Sequence, residues 1–191
     1  EDLNVYSTGA RQAVYNEGII TIQGDNYFEN TSNERAAVEN AKANATMTII
    51  SAEIVSKNHS GIRNIGNLTI GTKLDGVDVT TPIIIGKGSA NTSASGTAQY
   101  PGYGIYTTTT FAFYDGIVKG KVGSINVGEA RVSDYEPGAT YTAGTETIDS
   151  EPYQTAYYTQ GNTYTVSFDA NGGTVSPTFI IVNIGSQIGI A

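Results

Sequence analysis

Three segments of the chain fall into register at a constant interval. Residues 13–22 read AVYNEGIITI, residues 37–40 read AVEN with ATMTI closing at Ile49, and residues 61–70 read GIRNIGNLTI. Each opens small–aliphatic–x–Asn and ends in Thr–Ile. The asparagines Asn16, Asn40 and Asn64 are 24 residues apart, and the aliphatics Val14, Val38 and Ile62 keep the same spacing. A weaker copy, GIYTTTTFAF at 104–113, carries Thr107 in the Asn place, and GSIN at 123–126 restores Asn126. The Gly/Ser-rich stretch 86–103 reads as a loop inserted between the third and fourth copies. One unit of this length cannot bury its own apolar side chains, whereas stacked units bury them against the equivalent residues above and below.

The arrangement this implies is a right-handed parallel β-helix with coils of about 24 residues. Val14, Val38, Ile62 and Ile105 should form one interior ladder, and Ile22, Ile49, Ile70 and Phe113 a second. Asn16, Asn40 and Asn64 should form a turn ladder, their amides linking coils and tolerating the left-handed backbone of a sharp corner. The runs NYFEN (26–30), AEIVSKN (52–58), LDGVDV (74–79) and YDGIVKGK (114–121) are expected to supply the next face of each coil.

Composition agrees with an all-β fold. There are 21 Ile, 13 Val, 25 Thr and 13 Tyr against only 3 Leu, so the residues that suit a pleated sheet dominate. The Ala- and Glu-rich stretch 32–45 reads as a loop leading into strand rather than a short helix, because Val38 and Asn40 keep register. A β-sandwich or jelly roll is the competing arrangement, since it too has frequent turns. The division expected is a β-helix over 1–133, a cap and linker over 134–162, and a small β module over 163–191.

Net charge is −8, with 10 basic and 18 acidic residues. An acidic chain without a basic run repels phosphate, which argues against nucleic acid and anionic membrane partners. Cysteine is absent and histidine occurs once, leaving no thiolate or His-cluster metal site and no choice of base for a triad. No cofactor is expected. No run approaches the roughly 20 apolar residues needed to span a bilayer, and EDLNVYSTGA is too acidic and polar for a signal peptide.

The tail has a different character. YTVSFDANGGTVSP at 164–177 reads as a strand, a turn at Asn171-Gly172-Gly173 and a second strand closed by Pro177. Its FDANGG core closely resembles the Listeria–Bacteroides repeat, a small β-grasp-like module of internalin-type and other bacterial surface proteins. That family continues with a Trp-containing half that is missing here, so the resemblance implies a partial repeat. GIRNIGNLTIG and YGIYTTTTFAFYDGIVKGKVGSI are similar to coils of Gly/Asn/Thr-rich β-helix proteins of bacterial surfaces. Together the resemblances imply an extracellular cell-surface protein with further modules on the same polypeptide. They imply a non-enzymatic stalk or adhesin whose partner is a host or matrix protein or glycan.

Candidate chemistry is sparse. Some β-helices are polysaccharide lyases or hydrolases, and glycosidase chemistry needs two facing carboxylates. Asp75, Asp78 and Asp115 are the candidates, with Lys119 and Lys121 near the last; turn or surface roles are the expectation for all three. Arg63 is expected to be a solvated charge, His59 a turn residue and Asp169 a turn acceptor. The sequons at Asn30, Asn44, Asn58, Asn67 and Asn91 read as compositional in a bacterial protein, whereas in a eukaryotic secreted one they would mark surface loops. The binding candidates are Tyr100, Tyr103, Tyr106 and Tyr114, clustered around the inserted loop and fourth coil. Tyrosine rings make good contacts to sugars and proteins at low entropic cost. The competing role for them, and for Tyr153, Tyr157 and Tyr158, is to cap the end of the stack.

Overall fold

A computed structural model describes residues 3–73, 81–89 and 102–159, together with the backbone of 163–167 and 179–183. Described secondary structure is all strand apart from one 3-10 turn at Gly128–Arg131. Every third strand in chain order enters the same sheet, which is how a winding backbone builds parallel pairs from short runs. The first sheet holds β1 (Asn4–Ser7), β4 (Tyr27–Asn30), β7 (Glu53–Ser56), β10 (Ile83–Gly86) and β13 (Ile117–Gly120) in parallel. The second holds β2 (Val14–Asn16), β5 (Val38–Asn40), β8 (Ile62–Asn64), β11 (Tyr103–Thr107) and β14 (Gly123–Ile125). The third holds β3 (Ile19–Ile22), β6 (Thr46–Ile49), β9 (Asn67–Ile70), β12 (Phe111–Phe113) and β15 (Val132–Asp134). The result is a β-helix-like stack of three parallel sheets.

Register places like on like. Val14, Val38, Ile62, Ile105 and Ile125 align across the second sheet. Ile22, Ile49, Ile70 and Phe113 align across the third. The first sheet contributes its own inward row, Val5, Phe28, Ile54, Ile84, Val118 and Ala156. All three rows meet in one continuous core, within which Val38, Ile49, Ile54, Ile62, Ile70, Ile84 and Ile105 are wholly buried. Residues 32–37 are loop running into β5, as the register of Val38 requires.

Two expectations about the coils need correction. The place between β7 and β13 belongs to Ile83–Gly86, not to LDGVDV, which lies outside the described residues. That position carries the wholly buried Ile84, and Asp-Gly-Val-Asp would bring carboxylates into an apolar row. The ladder asparagines do not turn the corners through left-handed backbone either. Asn16, Asn40 and Asn64 close β2, β5 and β8 as ordinary strand residues. Positive φ falls instead at glycines such as Gly71 (76°) and Gly116 (99°) and at Val127, Asp149 and Ser150.

After β15 the chain forms a long hairpin, β16 (Thr140–Ile148) and β17 (Glu151–Thr159). Its two-residue turn has φ of 52° at Asp149 and 66° at Ser150, the backbone of a type I′ turn, matched to strand twist. β17 pairs antiparallel with β13, so parallel addition to the first sheet stops there. Tyr158 of this hairpin seals the end of the core. Its ring meets Phe113 edge-on at 5.6 Å and stacks on Tyr135 at 4.8 Å. In the tail, β18 (Thr163–Ser167) pairs antiparallel with β19 (Phe179–Asn183). The second strand of that pair therefore lies beyond Pro177 rather than before it, on the β-branched run FIIVN; the turn residues 171–173 lie outside the described residues.

Candidate functional site

The amide ladder is the first polar feature that the stacking builds. Asn16 Nδ2 donates to Asn40 Oδ1 at 2.8 Å, and Asn40 Nδ2 donates to Asn64 Oδ1 at 2.8 Å. Asn64 Nδ2 then donates to the hydroxyls of Thr107 and Thr109, both at 3.0 Å. Asn126 closes the series, its Oδ1 accepting from the Thr107 amide at 2.7 Å. All these side chains are buried or half-buried, so their function is to satisfy one another along the stack.

On the outer face of the second sheet, register lines up Tyr15, Glu39, Arg63 and Tyr106. Glu39 is only 2% exposed although its strand position faces outward. It accepts hydrogen bonds from Arg63 Nη1 and from Gln12 Nε2. Arg63 is therefore a largely buried ion-pair partner, not the solvated charge expected of it. Tyr103 and Tyr106 stand together at the end of this row, ring centroids 6.0 Å apart and tilted by 55°. Tyr15 projects from the other end, its hydroxyl donating to Glu17 at 3.1 Å. The face thus offers rings at both ends of a guanidinium–carboxylate pair, a surface suited to stacking on sugar rings or peptide groups. Tyr100 lies outside the described residues.

Tyr114 belongs to a different corner, just beyond β12 of the third sheet. Its hydroxyl donates to Asp134 Oδ2 at 2.6 Å, and Lys73 Nζ sits 5.6 Å from its ring centroid. That hydrogen bond, more than burial, pushes the phenol up to about 12, and it holds the Asp134 carboxyl below its usual value. The structure therefore joins Tyr103 to Tyr106 and assigns Tyr114 to other neighbours. Tyr153 is buried against Val55 and Ile85, and Tyr158 lies in the core.

The chemistry candidates are placed as follows. Asp115 is 6% exposed and its Oδ1 accepts from the Gly116 amide at 2.7 Å, which fixes a corner. Lys119 and Lys121 reach Glu146 and Glu151 of the hairpin at 2.7 and 3.3 Å. His59 is a corner residue but is 1% exposed, with its backbone amide donating to Ser56 Oγ. Among the sequons, Asn30 is wholly buried and binds backbone carbonyls, while Asn44, Asn58 and Asn67 are exposed. Asp75, Asp78, Asn91 and Asp169 lie outside the described residues. Among the described residues no group of three or more His, Cys, Asp or Glu could hold a metal ion, and no helix is long and apolar enough to cross a membrane.

A cleft not evident from the sequence lies at the corner between the third and first sheets. Residues Gly24–Tyr27, Ser51–Glu53, Thr81 and Ile83 line about 240 Å³. Asp25 and Glu53 bring two carboxylates to it, and Ser51 Oγ bridges to the Gly24 backbone at 2.7 and 3.1 Å. Tyr27 stands at its wall, its hydroxyl raised well above the ordinary phenol value by burial and then by its bond to Glu29. The register of Tyr27 with Glu53 and the Ser51–Gly24 bonds bring these loops together, and their unequal lengths conceal that in the sequence. In comparisons with known proteins, no family model, no curated protein and no solved structure matches this chain.

Proposed function

We propose that the protein is a non-enzymatic module of a bacterial cell-surface protein, a stiff stalk or adhesin-type binding domain exposed outside the cell. In this reading the stack is a right-handed parallel β-helix with coils of about 24 residues, followed by a partial Listeria–Bacteroides-type repeat. The observation that carries it is the row Val14–Val38–Ile62–Ile105–Ile125, wholly buried over its middle three members and continuous from coil to coil. Side chains repeating in register resist bending along the stack without disulfides or metal. The Tyr15–Glu39–Arg63–Tyr106 face then offers a ligand surface on a fixed scaffold, for a host or matrix protein or glycan.

The test is a panel of glycans and matrix proteins presented to the chain and to a Tyr103→Ala/Tyr106→Ala variant. Retention of a ligand by the first and its loss by the second supports the binding role; no ligand on the panel leaves a spacer. A second reading, a polysaccharide-active lyase or hydrolase, draws on Asp25 and Glu53 sharing one cleft. Turnover of acidic glycans that disappears in Asp25→Asn or Glu53→Gln would replace the first reading with the second.

A further inference from the structure

The hairpin does more than end the first sheet. Its strand pairing to the stack covers only Gln154, Thr155 and Ala156, opposite Gly120, Lys119 and Val118. From Gly144, opposite Thr155, out to the turn at Asp149-Ser150 and back to Tyr153, its two strands pair with each other alone. This tip overhangs the outward side of the first sheet. Tyr153 and Ile148 pack there on Val55 and Ile85, which alternate with the inward Ile54 and Ile84 yet are only 4% and 9% exposed.

Charge marks the same contact. Ser56, Gly86 and Gly120 align at the ends of β7, β10 and β13, so the residues that follow them, Lys57, Lys87 and Lys121, stack coil on coil. Neighbouring strands lie about 4.8 Å apart, so lysines in such a column repel one another unless acids offset them. Glu29 of the stack meets Lys57 at 3.0 Å. The other acids come from the tip: Asp149 meets Lys87 at 2.9 Å, Glu146 meets Lys119 at 2.7 Å and Glu151 meets Lys121 at 3.3 Å. All three of these carboxylates are exposed, and exposed pairs are individually weak and screened by salt.

We propose that residues 144–153 are a charge-latched strap, which lifts off the stack as a unit while the stack stays folded and which at rest hides an outward face of Val55, Ile85 and the lysine column. Lifting breaks no strand pairing of the stack, only the two apolar contacts and the three ion pairs. Openings of that size lie well below global unfolding in free energy. In the open state Val55 and Ile85 stand beside three lysines without their acids, a surface the closed form does not present.

The chain has no cysteine, so a single introduced thiol reports a single place. Val55→Cys puts it under the strap. Ile54→Cys, one residue away and wholly buried in the core, puts it where only unfolding of the stack exposes it. Labelling by uncharged iodoacetamide under native conditions then follows the population of each opening. Val55→Cys should react about a hundredfold faster than Ile54→Cys, yet well below the rate of a free thiol. Adding Glu146→Gln/Asp149→Asn/Glu151→Gln should speed Val55→Cys about tenfold, the combined worth of three exposed pairs, and leave Ile54→Cys unchanged. Raising salt from about 0.05 to 0.5 M should speed it several-fold with the three acids present and little without them. Ile85→Cys repeats the measurement at a second place under the strap, and urea unfolding of the Val55→Cys chain supplies the global limit should Ile54→Cys fail to fold. Equal rates at the two positions would overturn the proposal, since the face would then open only with the whole fold. A Val55→Cys rate that the triple neutralisation leaves unmoved, or that already equals a free thiol's, would overturn it too.

Discussion

Arg63 and Glu39 face each other from adjacent strands, 24 residues apart in the chain, and their ion pair clasps two coils on the outer face of the second sheet. Glu39 is 2% exposed there, so its charge depends on its donors rather than on water.

Removing the guanidinium alone should therefore be costly. Arg63→Leu leaves a buried carboxylate with Gln12 as its remaining described donor, and the loss should be about 3 kcal/mol in urea unfolding. The double variant Arg63→Leu/Glu39→Leu should recover most of that loss, because it removes the stranded charge along with its partner. A double variant as unstable as the single would mean that the pair itself, not the orphaned carboxylate, sets the cost.

The amide ladder makes a second demand. Asn40 is wholly buried and bonds Asn16, Asn64 and the Asn67 carbonyl. Asn40→Ala should cost about 3 kcal/mol by leaving these groups unmatched in a dry site. Asn40→Asp should cost more at neutral pH, since a carboxylate there faces the acceptors Asn64 Oδ1 and Asn67 O. Part of that excess should return at pH 4, where protonation restores a donor. Unfolding curves of both variants at the two pH values check this.

Much of the stack was legible in the sequence because like residues recur at a fixed interval: Val14, Val38, Ile62 and the three asparagines sit where their spacing puts them. The row Phe28–Ile54–Ile84–Val118 was harder to read. Loops of unequal length precede its strands, and LDGVDV offered a competing alternation. Glu39 and Arg63 escaped for another reason. Each occupies an outward strand position that reads as solvated, and burial comes from side chains one coil away and from Gln12. The Asp25–Glu53 cleft was hidden in the same way, by loops of unequal length that the register of their strands brings together. Hydrophobic spacing reports what faces the core; it says little about polar groups that cover one another on the outside.

Tyr114 and Asp134 give the fold a pH signature. The phenol is raised to about 12 in the folded chain, against 10.0 ordinarily, by its bond to Asp134. A raised group stabilises fully below its unfolded value and loses that contribution as pH climbs through its folded one, so this contact should weaken between about pH 10 and 12. Asp134 is lowered, first by Tyr114, so its share is present above 3.8 and is lost as pH falls further. Tyrosine NMR should show Tyr114 titrating late, and Asp134→Asn should bring it back toward the ordinary value. An unchanged titration in Asp134→Asn would mean that burial, not the bond, raises the phenol.

Tyr158 separates shape from polarity. Its ring closes the core against Phe113, Tyr135 and Tyr141, but its buried hydroxyl has no hydrogen-bond partner among the described residues. Tyr158→Phe keeps the ring and removes the unmatched group, so stability should hold or rise by up to about 1 kcal/mol. Tyr158→Ala should cost about 4 kcal/mol by opening a cavity at the end of the stack. Thermal unfolding of the pair distinguishes the two effects, and a large loss in the Phe variant would show that the hydroxyl is bonded after all.

Gly71 tests whether the corners are as tightly built as the rows. Its φ of 76° lies in the left-handed region, and an added Cβ would come within 2.6 Å of both the Cβ and the backbone nitrogen of Asp115. The first factor costs an L-residue about 1 kcal/mol. The second cannot be relieved by a side-chain rotation, since the obstacle includes backbone from the next coil, and overpacking of that kind adds about 2 kcal/mol. Gly71→Ala should thus lose about 3 kcal/mol in urea unfolding with the slope unchanged. Gly9, where an added Cβ meets nothing within 4 Å, is the control, and Gly9→Ala should stay within about 0.5 kcal/mol of the parent. If both variants proved equally stable, Gly71 and Asp115 would have to lie further apart than the stacking of their coils places them.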